Sequence, residues 1–238
     1  MDHRLRERLR ARLAQERGYY RYPAGARTRF ALVYPNTYFV GMSNLGLHIV
    51  YALLNERSDT ACERVFLPDR DEMPRYVRTN TPMMSVETQT PLADFAIVGF
   101  AISFEMDYFH VAEMLARSHI TPLSADRTAH DPLVIAGGPC ATFNPEPLAA
   151  LIDAFVIGEG EAILPAMMDA YHAGLHAGDD RAALLQRLSH VPGVYVPALY
   201  TPAYDAAGHL TALLPQAGAP SRVARQWVEE LDAHPAHT

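Results

Sequence analysis

The sequence predicts an α/β protein built on a doubly wound, five-stranded parallel sheet, and three observations predict it. Five short, mostly apolar runs stand at 30–35, 62–67, 95–102, 132–136 and 154–157; strands buried on both faces read as continuous hydrophobic runs rather than as alternation. Between them, apolar residues recur at helical spacing. The last two runs each stop at glycine, at Gly137-Gly138-Pro139 and at Gly158-Glu159-Gly160-Glu161. Glycine there lets backbone approach a ligand, because no Cβ intervenes. Open α/β sheets bind ligands outside the carboxyl ends of their strands.

The elements follow in order. Residues 2–17 read as a helix with a thin stripe at Leu5, Leu9 and Leu13 and with Arg4, Arg6, Arg8, Arg10 and Arg12 around it. Glu7 and Glu16 dilute that charge, so the expected role is docking on the chain's own domain. An aromatic connector, 18–26, leads to the first strand, which is expected to end at Pro35-Asn36. Residues 44–55 are apolar nearly all round, which predicts a helix packed between layers, with Ser43 as N-cap. After the strand at 62–67 comes a polar excursion, 70–91, expected to return Met83, Met84 and Val86 to the core. The strand at 95–102 runs into Ser103-Phe104-Glu105, and Phe104, Tyr108, Val111 and Leu115 predict a helix to about residue 118.

A short helical patch (Leu148, Leu151, Ile152) separates the last two strands, and helices are expected over 163–175 and 181–189. This alternation predicts a flavodoxin-like strand order. Beyond Pro192 the pattern changes to a β-hairpin over 194–214, a helical patch over 223–231 and a linker-like tail, 234–238. The division expected is 1–29 for the N-terminal helix and connector, 30–190 for the α/β domain, and 191–238 for hairpin and linker.

Composition limits the function. The chain has 238 residues, 49% of them hydrophobic, and a formal charge of −7. No nucleic-acid or membrane partner is expected from that charge. Two distant cysteines, Cys62 and Cys140, make neither a disulfide framework nor a cysteine metal site and point to a reducing, cytoplasmic setting. No apolar run is long enough to span a bilayer, and the first residues lack the apolar core of a signal peptide.

The usual catalytic and nucleotide motifs are missing. There is no P-loop lysine and no G-x-G-x-x-G between strand and helix. Glu159 and Glu161 beside Gly158 and Gly160 would repel a pyrophosphate; capping the following helix is their expected role. No G-x-S-x-G elbow surrounds Ser43, Ser85 or Ser103. His48 reads as a core histidine, and the pairs His110/Glu113 and His172/His176 lack a third ligand. The loops after strands one, three, four and five are nonetheless rich in small or polar residues. They suit a large, mostly neutral ligand laid across the sheet edge.

These loops carry a resemblance. Strand–GGP–x5–PE (Gly137, Gly138, Pro139, Pro145-Glu146), followed by DAFVIGEGE, resembles the cobalamin-binding domain at the front of many radical SAM proteins, and NTYFVGMSNLG and CERVFLPD narrow the match. The resemblance covers about residues 30–175. It implies a cobalamin site built from Asn36, Tyr38, Gly41, Ser103, Phe104, Gly137, Gly138, Pro139, Gly158 and Glu159. In that family Asp-x-His-x-x-Gly supplies a histidine to cobalt. Here Asn36 and Tyr38 stand at the aspartate and histidine positions and Gly41 is kept, so the implied binding is base-off without a histidine ligand. Ser103, Gly137 and Gly138 match the positions along the cofactor's nucleotide tail.

The resemblance also implies a radical SAM barrel downstream, in cis or in trans. That barrel would hold the 4Fe-4S cluster and S-adenosylmethionine, because no C-x3-C-x2-C motif occurs in this chain. No radical chemistry is expected of the chain alone. The competing reading is a non-catalytic scaffold or interaction module that has lost cobalamin and docks partners through its basic helix and hairpin. A receiver-like domain is excluded by Asn36 and Ser103, which stand where acidic residues would be needed.

Overall fold

A computed structural model describes residues 2–23, 25–230 and 232. Helix α1 (His3–Leu13) opens the chain, capped by Asp2, whose carboxylate accepts from the Arg4 and Leu5 amides. Leu5, Leu9 and Leu13 are all buried, and each contributes about 2 kcal/mol. Arg8 and Arg12 pair with Asp69, Asp71 and Glu72, so the basic helix is a docked element of its own domain.

The central sheet follows: β1 (Thr28–Thr37), β2 (Thr60–Leu67), β3 (Ile97–Ala101), β4 (Leu133–Gly137), β5 (Ala154–Val156) and β6 (Val194–Tyr195). The order is β2-β1-β3-β4-β5-β6. The first five strands are parallel in flavodoxin-like order, and β6 closes the edge antiparallel to β5. Two expectations are corrected here. β1 does not stop at Pro35: it bulges there and pairs again at Thr37 with Leu67, since proline has no N–H for the ladder. Val194 and Tyr195 leave the expected hairpin and join the main sheet, while the hairpin is β7 (Tyr200–Tyr204) with β8 (Leu210–Pro215).

Helix α2 (Tyr38–Met42) is one short turn, and α3 (Leu45–Glu56) lies against the sheet. The cap of α3 is Asn44 rather than Ser43: the Asn44 Oδ1 accepts from the Leu47 amide, while the Ser43 hydroxyl donates to the Phe39 carbonyl. The excursion holds α4 (Met73–Thr79) and returns Met83, Met84 and Val86 to the core. Helix α5 (Tyr108–Arg117) starts after a 3-10 turn, and α6 (Pro139–Phe143) follows the double glycine. Helices α7 (Gly160–Ala177) and α8 (Arg181–Leu188) pack together, and α7 also meets α3. Right-handed crossovers place α3 and α5 on opposite faces.

The predicted helix over 223–231 does not form across its described residues. This stretch is extended and pairs with the carboxyl end of β5, in parallel, at Gly158 with Gln226. Its backbone groups bond to Ile157 and Glu159 instead of to one another. The tail, 234–238, lies outside the described residues. No helix among them is long and apolar enough to cross a membrane.

Candidate functional site

Missing side chains on the sheet surface create a cleft. On the face covered by α3 and α7, adjacent strands align Leu32, Gly99, Ile135 and Ala154 in one row. Nearer the carboxyl edge Ala101 stands beside Gly137. Gly99 makes room for the Phe30 ring, since a Cβ there would sit 2.6 Å from Phe30 Cζ. Gly160 lets α7 approach α3, where a Cβ would meet Val50 Cγ2 at 3.2 Å. These small residues leave a cleft of about 340 Å³, floored by Phe30, Leu32, Gly99 and Ile135 and walled by Val50 and Leu164. It is ligand-sized and apolar, with a few polar groups at its mouth.

The mouth carries Asn44, Ser103, Gly137, Gly138, Pro139, Gly158 and Glu161. The Asn44 Nδ2 donates to the Ser103 Oγ at 3.3 Å, which leaves the serine hydroxyl free to donate into the cleft. The Glu161 carboxylate stands where a polyphosphate would otherwise meet the first turn of α7, so the cleft suits a ligand of low negative charge.

Of the residues expected at the site, Ser103, Gly137, Gly138, Pro139 and Gly158 meet at this mouth. The others face elsewhere. The Tyr38 hydroxyl donates to Glu16 Oε1 at 2.8 Å, its ring packs edge-on to Phe66, and Arg12 lies over it. Burial and the Glu16 carboxylate push the Tyr38 hydroxyl up to about 12. Glu16 in turn accepts from Arg64, which also bonds the fully buried Glu87. Tyr38 thus belongs to a buried network joining the connector after α1, α2 and β2. Asn36 donates from Nδ2 to Asp107 Oδ1 at 3.0 Å, and His110 Nδ1 lies 2.9 Å from the Pro35 carbonyl. Burial raises the Asp107 carboxyl above its ordinary value. A Cβ on Gly41 would strike the Phe66 ring, so this glycine serves packing. Phe104 is exposed.

Two glycines also need a different account. Gly138 has φ +98°, and a Cβ on it would lie 2.7 Å from the Ile102 carbonyl oxygen. The fold itself therefore demands glycine there, so Gly138, which the resemblance places along the nucleotide tail, answers first to folding. Gly158 has φ +129°, and its missing side chain is replaced by the backbone of Gln226. Glu159 does not cap α7 with its side chain; its carboxylate accepts from the Val228 amide. The GEGE loop thus holds the chain's own C-terminal segment. Sequence reasoning passes over Asn44, Gly99 and Gly160, whose signal is their register relative to the two glycine loops.

Among the described residues no three His, Cys, Asp or Glu side chains gather into a metal site. His48 bonds the Met42 carbonyl and His172 lies near Asp59, so both serve the fold.

A mostly parallel sheet, switch-point order and a glycine-built cleft at the carboxyl edge define an α/β domain with a candidate ligand cleft. Comparison with known proteins narrows this. The family model for radical SAM proteins, N-terminal, matches residues 46–197, more than half of the chain, which belongs to that family. An uncharacterized protein of Methanocaldococcus jannaschii is 23% identical over 133 residues, covering 55% of this chain and 24% of that protein. The matched stretch thus spans about a quarter of the relative's length. No solved structure matches significantly.

Proposed function

We propose that this domain binds cobalamin for a radical SAM domain supplied downstream, in cis or in trans. The observation that carries the reading is the cleft: apolar, about 340 Å³ in volume, and opening at Ser103 and Gly137, the positions that the resemblance assigns to the nucleotide tail. The fit rests on a cradle that side chains would fill. A Cβ on Gly137 would make ordinary contact with Val156 at 3.5 Å, and a longer side chain would extend into the mouth.

In this reading Phe30, Leu32, Val50 and Leu164 exclude water from the tail, and the Ser103 hydroxyl, held by Asn44, donates to it. When bound, cobalamin supplies cobalt redox and group-transfer chemistry. The 4Fe-4S cluster and S-adenosylmethionine belong to the downstream domain. Binding is base-off without a histidine from the loop after β1, because Tyr38 stands there and is engaged with Glu16.

The test is equilibrium dialysis of the purified chain with hydroxocobalamin. Saturable binding is expected, weakened about threefold to tenfold by Ser103→Ala, the loss of one hydrogen bond. No binding at high micromolar cofactor overturns the reading in favour of a scaffold. That second reading is favoured by one observation: Asn36 and Tyr38 are both engaged within the fold. Base-off binding with a protein nitrogen on cobalt would overturn the unligated state and point to His110, which shares Asp107 with Asn36.

A further inference from the structure

The carboxyl rim outside the cleft is apolar and uncovered. Phe39 and Leu45 follow β1, Phe104, Met106 and Phe109 follow β3, and Phe143 follows β4. Phe39, Phe109 and Phe143 are 81%, 74% and 84% exposed. Six large apolar side chains on the loops and short helical turns that follow the strands at one end of one sheet mark an interaction surface.

A second, independent observation indicates what covers it. Just past β5 the chain makes one isolated parallel bridge, Gly158 with Gln226, fixed by Gln226 N–H to the Ile157 carbonyl, Glu159 N–H to the Gln226 carbonyl and Val228 N–H to the Glu159 carboxylate. A segment running parallel there heads outward past the carboxyl edge, so residues 226–228 point toward the side that carries the rim. Gly158 is built for that segment, since any side chain would strike Gln226. The exposed Trp227 lies on it.

We propose that the rim is the docking surface for the radical SAM domain that continues the chain, and that the GEGE loop clamps the exit segment to deliver that domain there. This rests on the reading that such a domain follows, but not on cobalamin. Hydrogen exchange is compared between the 238-residue chain and the same chain extended through the radical SAM domain encoded after it. Exchange at 39–45, 104–109 and 139–143 is expected to slow at least tenfold on extension. Phe104→Asp with Phe109→Asp restores the fast exchange, while amides of β3 and β4 stay protected and report an intact fold.

Equal exchange in both proteins overturns the proposal, and so does a reading frame with no radical SAM domain beyond it. Self-association of the 238-residue chain that the same substitutions abolish would assign the rim to a second copy and also overturn it. Hydroxocobalamin titration of both proteins separates the two readings: a protected rim without cofactor binding refutes only the cobalamin site.

Discussion

The two ends of the sheet are built on opposite principles. At the amino end, arginines close the structure by donating to backbone carbonyls. Arg127 bonds the carbonyls of Thr121, Pro122 and Leu151, and Arg181 those of Thr128, Asp131 and Pro132. Both meet the buried Asp153, which also accepts from the Val134 amide. Arg27 does the same for the carbonyls of Arg57 and Thr60. At the carboxyl end, glycines replace side chains, a cleft stays open and phenylalanines face outward. Loops at one end are locked by charge so that loops at the other can serve ligands and partners.

The largest effect is expected at the locked end. Burial pushes the Asp153 carboxyl up and the Arg127 guanidinium down, so each needs its partner to remain charged. Asp153→Ala leaves Arg127 buried without its countercharge and should lower stability by about 3–5 kcal/mol in urea denaturation. Cobalamin affinity of the folded fraction should not change.

Two glycine substitutions then divide folding from binding at the open end. Gly138→Ala forces a side chain into positive φ against Ile102 and should cost about 2 kcal/mol of stability in the same assay. A Cβ added at Gly137 meets only Val156, in ordinary contact, so Gly137→Val starts without a backbone clash. It should cost under about 1.5 kcal/mol while weakening hydroxocobalamin binding about tenfold. Equal losses of stability and binding in both variants would erase the distinction between the two glycines.

Acid should act on the locked end as well. Arg57, partly offset by burial, holds Asp59 down at about 2. A carboxyl held low in the folded state stabilises it above the unfolded value of about 3.9. That contribution is lost as pH falls toward about 2. Asp59→Asn should therefore flatten the stability curve measured between those two values. The smallest effect belongs to the rim: Phe143→Ser, at an 84% exposed position, should change stability by less than about 0.5 kcal/mol.

The strands and the strand order were legible because both-face burial writes an apolar run into the chain. Helix α1 was legible from Leu5, Leu9 and Leu13 alone. What was not legible depended on partners far away in sequence. Tyr38 fills a cofactor-ligand position by pattern, yet its partner Glu16 lies 22 residues before it, and no local spacing shows that bond. Residues 223–230 have helical periodicity but find a ready-made edge at Ile157 and Glu159, and tertiary pairing overrides local preference. Gly138 and Gly158 look alike as glycines beside a binding edge. Only their φ values and neighbours show that one answers to Ile102 and the other to Gln226.

Titration of the purified chain with hydroxocobalamin, followed by absorption spectroscopy for wild type and Gly137→Val side by side, tests the central claim most directly. The account predicts saturable binding with a base-off spectrum that lacks a protein nitrogen ligand, unchanged by Tyr38→Ala and weakened about tenfold by Gly137→Val. A folded wild-type chain that leaves the cofactor spectrum untouched at high micromolar concentration, or one that binds equally well with valine at residue 137, would contradict it.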